Sequence, residues 1–318
     1  MHKANKRWRL ILLVWAGFLI IPLSIPLYKI IKGAAFRPPD LPGQLLISTM
    51  DQLIVLHGTS GVQKVFEIPG LSMGEAYWAP DQTHIAFVAN TDRQTLTLLD
   101  VSSHMSQLLN IDGQESACEI ETFSWSPVDD RIAYVITGDS EAKVYVYTIA
   151  NSSTQVVWEC VHRCGTLLWS SDASQLVFPE IENPATPGDM HTTKVVQLDL
   201  DTKDPDTLFT VPGVFERISC RSDWERCALI DYSQGLFISD RDGNLEKIFD
   251  SVGSAVWSPD GRWLAFTAVY EAPSMPAVIN VYDSATKTSF QLYPTPNVFG
   301  AWLHPDNQNR YFVFDWRE

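Results

Sequence analysis

The stretch Ala255-Val256-Trp257-Ser258-Pro259-Asp260-Gly261-Arg262-Trp263-Leu264-Ala265-Phe266 decides the fold. Its apolar start runs into a Ser-Pro-Asp-Gly turn. There Pro259 presets φ, Asp260 can bond its own backbone, and Gly261 accepts the exit geometry. The residues from 262 to 266 resume with bulky and aromatic side chains suited to a half-buried pleated surface, so the segment reads as a hairpin.

The same order of apolar strand, Trp, Pro-Asp turn and apolar strand recurs along the chain. Trp78-Ala79-Pro80-Asp81 precedes Ile85-Ala86-Phe87, and Trp125-Ser126-Pro127-Val128-Asp129 precedes Ile132-Ala133-Tyr134. Weaker copies stand at Trp169-Ser170-Ser171-Asp172, at Cys220-Arg221-Ser222-Asp223 with Cys in the Trp position, and at Trp302-Leu303-His304-Pro305-Asp306. Anchors at 78, 125, 169, 220, 257 and 303 lie 47, 44, 51, 37 and 46 residues apart, a period that marks a repeat architecture. Each interval also holds a second hairpin, such as the segments at 96–100 and 279–283. Four strands per repeat make a propeller blade. Helical solenoids fit badly, because no 3.6-residue periodicity is sustained.

The expected fold is therefore all-β, a six-bladed β-propeller over residues 43–318. Leu53-Ile54-Val55-Leu56 reads as a hairpin lacking its Pro-Asp partner, and the copy at 303 lacks its second hairpin. N- and C-terminal segments would share the closing blade, which hides strand edges.

Residues 257–261 match the signature Trp-Ser-Pro-Asp-Gly in full, and the copies at 78 and 125 match it in part. In this the chain resembles the WD40-like PD40 repeats of TolB-type six-bladed propellers, over residues 43–318 at the level of fold. Trp78, Trp125, Trp169 and Trp257 are read as packing between blades. Asp81, Asp172, Pro259, Asp260 and Gly261 are read as turn formers.

The start of the chain differs in character. Residues 1–9 form a basic segment with Lys3, Lys6, Arg7 and Arg9, and residues 10–28 carry no charge, enough to span a hydrocarbon core of about 30 Å. An uncleaved transmembrane anchor is expected there, followed by a Pro-rich linker at 29–42. A cleaved signal peptide is the alternative. The N-terminus is expected to be cytoplasmic and the propeller extracytoplasmic, in the periplasm or outside the cell.

Residues 1–38 hold seven Lys and Arg and no acid, which leaves 16 basic against 38 acidic residues beyond them, a net charge of −22. Such a domain is a poor nucleic-acid binder, so no nucleic-acid partner is expected. Five cysteines are present. Cys220 and Cys227 face each other across a predicted hairpin, Cys160 and Cys164 are four apart, and Cys118 is left over. Disulfides suit an exported domain, and small buried thiols are the alternative.

Catalytic patterns are weak. Gly70-Leu71-Ser72-Met73-Gly74 has the spacing of a nucleophile elbow but enters a strand rather than a helix. Cys160-Val161-His162-Arg163-Cys164 matches no usual zinc spacing, and the Asp run at 199–206 lacks the glycine of an EF-type loop. No metal, cofactor or catalytic set is expected.

The loops that grow locate a working face better, since repeat proteins tend to extend loops on one side. Residues 179–194 and 268–277 join first to second hairpins, and the connectors between blades emerge on that same face. Glu180, Glu182, Asp189, His191, Tyr270, Glu271, Glu119, His162 and Arg163 are the candidate partner-binding residues. The expectation is a membrane-anchored, non-catalytic module at the cell envelope that binds a protein. The alternative is a small-ligand or carbohydrate-binding propeller, with hydrolase or lyase activity at the axial mouth.

Overall fold

The computed structural model describes residues 41–49, 52–57, 61–67, 72–90, 94–111, 119–138, 141–183, 190–268, 278–293 and 312–317. The segment expected to cross the membrane, residues 10–28, lies outside them. Among the described residues no helix is long and apolar enough to cross a membrane.

Six antiparallel sheets follow one another, each running from an inner to an outer strand. Blade one comprises Ser72–Trp78, His84–Asn90, Gln94–Asp100 and Ser106–Leu108, and blade two Glu119–Trp125, Arg131–Thr137, Ala142–Thr148 and Ser153–Cys160. In blade three the inner strand is split into Arg163–Cys164 and Leu168–Trp169, followed by Gln175–Glu182, Thr192–Asp199 and Pro205–Pro212. Blade four is Arg217–Cys220, Arg226–Asp231, Gly235–Asp240 and Leu245–Phe249, and blade five Val252–Trp257, Trp263–Ala268, Val278–Asp283 and Thr288–Tyr293.

The closing blade is shared, as expected, but not in equal halves. Its inner strand is Phe312–Arg317, and the other three are Gln44–Ser48, Gln52–His57 and Gly61–Glu67. The chain end thus supplies one strand rather than a hairpin. Trp316 stands next to last in that inner strand, where Trp78, Trp125, Trp169 and Trp257 end theirs, so the sixth repeat anchor is Trp316 and not the copy at 303. The Trp-Leu-His-Pro-Asp sequence at 302–306 lies outside the described residues.

One core cluster fills each junction between blades. Leu264 and Phe266 pack towards blade four with Trp257, Ile230 and Leu236, while their alternating neighbours Trp263 and Ala265 pack towards the closing blade with Ile47, Ile54 and Trp316. Period-two alternation in the second strand of a blade therefore serves two interfaces at once. All four predicted Trp side chains are buried in these junctions. The Trp169 indole also donates to the Ser124 carbonyl of the preceding blade at 3.0 Å.

The turns between first and second strands share one design. Asp81, Asp172, Asp223 and Asp260 each accept a hydrogen bond from the backbone N–H two residues on. The residue after each Asp is left-handed: Gln82, Ala173, Trp224 and Gly261 have φ of 56°, 55°, 58° and 67°. Only Gly261 fills that slot without the steric penalty of a side chain. A Cβ there would lie 2.9 Å from Arg221 Nε.

Two disulfides join Cys160 to Cys164 and Cys220 to Cys227. The second links directly opposed residues of one hairpin, where the other described blades place a tryptophan.

Candidate functional site

Strand direction alternates within a blade, so the Asp-capped turns gather on one face and the blade connectors and middle loops on the other. At the connector end of the axis, charged residues converge from opposite sides. Glu75 on the inner strand of blade one accepts a hydrogen bond from Arg217 Nη1 on the inner strand of blade four at 2.8 Å. Those blades stand three apart in a ring of six, so this ion pair crosses the channel.

Glu75 also accepts from Thr122 Oγ1 at 2.8 Å and the Phe123 N–H at 3.1 Å, on the neighbouring blade. A register shift between Met73 and Ala76 leaves Glu75 outside the ladder, and such bulges re-aim side chains. Arg217 Nε donates to the Tyr232 hydroxyl, and its guanidinium lies 5.8 Å from the Phe314 ring centroid. Burial works against the Arg217 charge, but Glu75 and Tyr232 outweigh it and hold its pKa above the ordinary guanidinium value. Burial, reinforced by Glu75, pushes the Tyr77 hydroxyl well above its usual range. The cavity in contact with Arg217, Tyr77, Ser219 and Ser254 has a volume of only about 50 Å3.

A larger groove of about 420 Å3 opens on the connector face between blades three and four. Met190, His191, Val214, Glu216, Tyr232 and Gln234 are among its lining residues. Met190 is 67% exposed and Tyr232 55%, so two large side chains present apolar surface to solvent within one groove. Beside it the loop from Cys160 to Cys164 raises Val161, also 67% exposed.

Arg163 connects that loop to its surroundings. Its guanidinium pairs with Glu121 of blade two at 2.8 Å and with Glu216, a lining residue of the groove. Burial opposes its charge, and the two carboxylates more than compensate, leaving its pKa above the ordinary value. Its side chain is 50% exposed, so each pair contributes no more than about 1 kcal/mol. Fixing the backbone of residues 161–163 costs roughly 1–2 kcal/mol apiece, so ion pairing alone does not order the loop. The pairing of Arg163 and Cys164 with Ile181 and Glu180, the Val161 N–H bond to the Glu180 carboxylate and the covalent closure at Cys160–Cys164 supply the rest.

The sequence-derived candidates divide. His191 lines the groove, while His162 and Glu119 are exposed on the same face. Glu182 pairs with Lys194 across the hairpin. Glu180 is only 5% exposed, and its carboxylate accepts the Val161 N–H at 2.8 Å, so it holds the loop from beneath and offers no free surface. The expected long loop at 179–194 is shorter, because the ladder runs to Glu182↔Thr192 and leaves 183–191 as the connection. Asp189, Tyr270 and Glu271 lie outside the described residues.

Glu75, Glu216, Arg217 and Tyr232 escaped the sequence reading. A signal existed in the repeat itself. The residue three before each anchor is Glu75, Thr122, Thr166, Arg217, Ser254 or Val313, and only the two facing across the axis are charged. Among the described residues no group of three or more His, Cys, Asp or Glu side chains is placed to hold a metal ion.

Fold and site together define a six-bladed propeller, closed by a shared blade, with an ion-paired axial mouth and a groove on its connector face. Among solved structures, the chain is similar to TolB from Acinetobacter baumannii, with 16% identity and a TM-score of 0.62 over 84% of this chain. It spans 66% of that TolB chain, just under two thirds of its length. It is also similar to a chain from a nidogen/laminin complex, at 9% identity and TM-score 0.63 over 86% of this chain and 98% of the other. An oligogalacturonate lyase in complex with manganese matches at 19% identity and TM-score 0.50, over 79% of this chain and 74% of that one. No family model matches this chain, and no curated protein matches it.

Proposed function

We propose that this propeller is a protein-docking module at the cell envelope, with the groove between blades three and four as its contact surface. The observation that carries the reading is the grouping of Val161, Met190 and Tyr232, exposed and apolar, around the Arg163–Glu216 pair on one face. Interfaces favour such a mixture of Met, Tyr and Arg. The opposite face is built from repeated Asp-capped turns. A similar chain in a nidogen/laminin complex supports the reading by analogy of fold alone. Residues 10–28 anchor the protein, with the N-terminus cytoplasmic and the propeller outside, and two disulfides in the domain support export.

Photocrosslinking tests the assignment. A benzophenone amino acid placed at Met190 or His191 of the full-length protein should give a discrete protein adduct in cells, whereas the same probe at Val128 on the turn face should not. Equal labelling from both faces, or none from the groove, defeats the proposal. Saturable protection of the groove by an oligosaccharide would instead favour the carbohydrate-binding alternative.

A further inference from the structure

We propose that the connector face is assembled by oxidation, with the Cys160–Cys164 disulfide acting as the latch that positions Val161 and Arg163. The inference rests on the docking reading for its consequence, but its structural part stands alone. Cys160 ends the outer strand of blade two, and Cys164 belongs to the split inner strand of blade three. The chain therefore passes from the rim of one blade to the centre of the next through three residues. Their Cα atoms, 5.9 Å apart, fall within the range a disulfide bridges.

The three residues inside the loop each serve the face. Val161 stands proud while its N–H is held by the buried Glu180 carboxylate. His162 is exposed. Arg163 reaches Glu121 on one side and Glu216 on the other, tying blade two to the groove. Half-exposed ion pairs are too weak to order this turn unaided, and ladder pairing holds only its far end, at Arg163↔Ile181 and Cys164↔Glu180, so residues 161 and 162 depend on the Glu180 contact and on the bond that closes the turn. The other disulfide differs in kind, because Cys220–Cys227 joins strands already paired in register and carries no loop of this face.

The chemistry is a thiol–disulfide exchange with a disulfide-bearing oxidant. One cysteine thiolate attacks the oxidant's disulfide and expels one of its sulfurs. The second thiolate then attacks the mixed disulfide, forming the Sγ–Sγ bond and releasing the oxidant as a dithiol. Two electrons and two protons pass from the cysteine pair to the oxidant.

The full-length protein allows a test by trypsin cleavage after Arg163, followed by mass spectrometry. In the oxidised wild type this bond should be spared. In C160S/C164S it should be cut at least about tenfold faster, because proteolysis follows the open population, while C220S/C227S should leave it protected. If a double variant fails to fold, wild-type protein titrated with dithiothreitol gives the comparison, with mass spectrometry assigning cleavage at Arg163 to molecules in which Cys160–Cys164 is reduced and Cys220–Cys227 intact, and circular dichroism monitoring the sheet. Equal cleavage with and without the bond overturns the latch.

Crosslinking from Met190 adds the second arm. Loss of the adduct in folded C160S/C164S supports the full inference, and an undiminished adduct overturns the link to docking. Absence of any adduct in the wild type refutes the docking reading alone, and trypsin then decides the latch.

Discussion

The ion pair across the axis gives the sharpest test of the architecture. The Glu75 side chain is 7% exposed and that of Arg217 is 26% exposed, and each has further partners. Removing one member of a buried pair costs about 3–5 kcal/mol, because the other charge is left behind. A quarter of the Arg217 side chain reaches water, which screens the stranded charge and lowers the expected loss. Glu75→Gln keeps an acceptor for Thr122 and Phe123, so the charge is the main thing removed. It should destabilise the fold by about 2 kcal/mol. Arg217→Met should do similar damage by stranding the Glu75 carboxylate. The double variant E75Q/R217M leaves no uncompensated charge and should return to within about 1 kcal/mol of the wild type. Urea unfolding with both disulfides kept oxidised measures all four proteins. Additive losses, or single variants each within about 0.5 kcal/mol of the wild type, would show that the two groups do not meet across the channel.

Other changes probe the frame around the site. Gly165→Ala should be among the most harmful single substitutions, costing more than about 3 kcal/mol, since its Cβ would lie 1.9 Å from the Glu216 carbonyl oxygen. Differential scanning calorimetry measures that loss, and loss of trypsin protection at Arg163 should accompany it. Trp257→Ala, at a side chain 4% exposed between blades four and five, should cost about 3–5 kcal/mol in chemical denaturation. Acid titration has a defined window. The Ser170 hydroxyl and Ser174 N–H hold the Asp172 carboxyl at about 2, while Arg262, against the opposing effect of burial, and the Ala285 N–H hold Asp283 at about 2. Both lie below the unfolded value of about 3.9, so the stabilisation is full above about pH 4 and lost as pH falls towards 2. Asp172→Asn and Asp283→Asn should flatten the decline in unfolding midpoint across that window, and an unchanged slope would contradict the turn chemistry.

What the sequence made legible was local. Pro-Asp turns, a recurrent Trp and β-rich runs identify blades because each strand–turn–strand signal is contained in one short run such as residues 255–266. The shared closing blade followed from unpaired hairpins at the two ends. Its division did not, because Trp-Leu-His-Pro-Asp at 302–306 carries the turn chemistry of an anchor while Trp316 carries the position. The site was harder for a different reason. Glu75 and Arg217 are 142 residues apart and meet only because the ring closes. Arg163 was found through its loop, but its partners lie 42 and 53 residues away, Glu121 on blade two and Glu216 in the connector between blades three and four. Glu180 looked like a surface carboxylate because strand alternation does not reveal that a disulfide-closed turn covers it.

The unequal closing blade bears on how the domain folds. Gln44–Ser48 is made early, yet its inner partner Phe312–Arg317 is the last described strand to appear. Until then the first sheet carries an open edge with three buried-type residues, Leu45, Leu46 and Ile47, waiting beside it. Pairing over so long a stretch of chain is slow, and an unpaired edge invites the wrong strand. Ring closure is therefore the step at which correct pairing of the Gln44–Ser48 edge competes with misassembly.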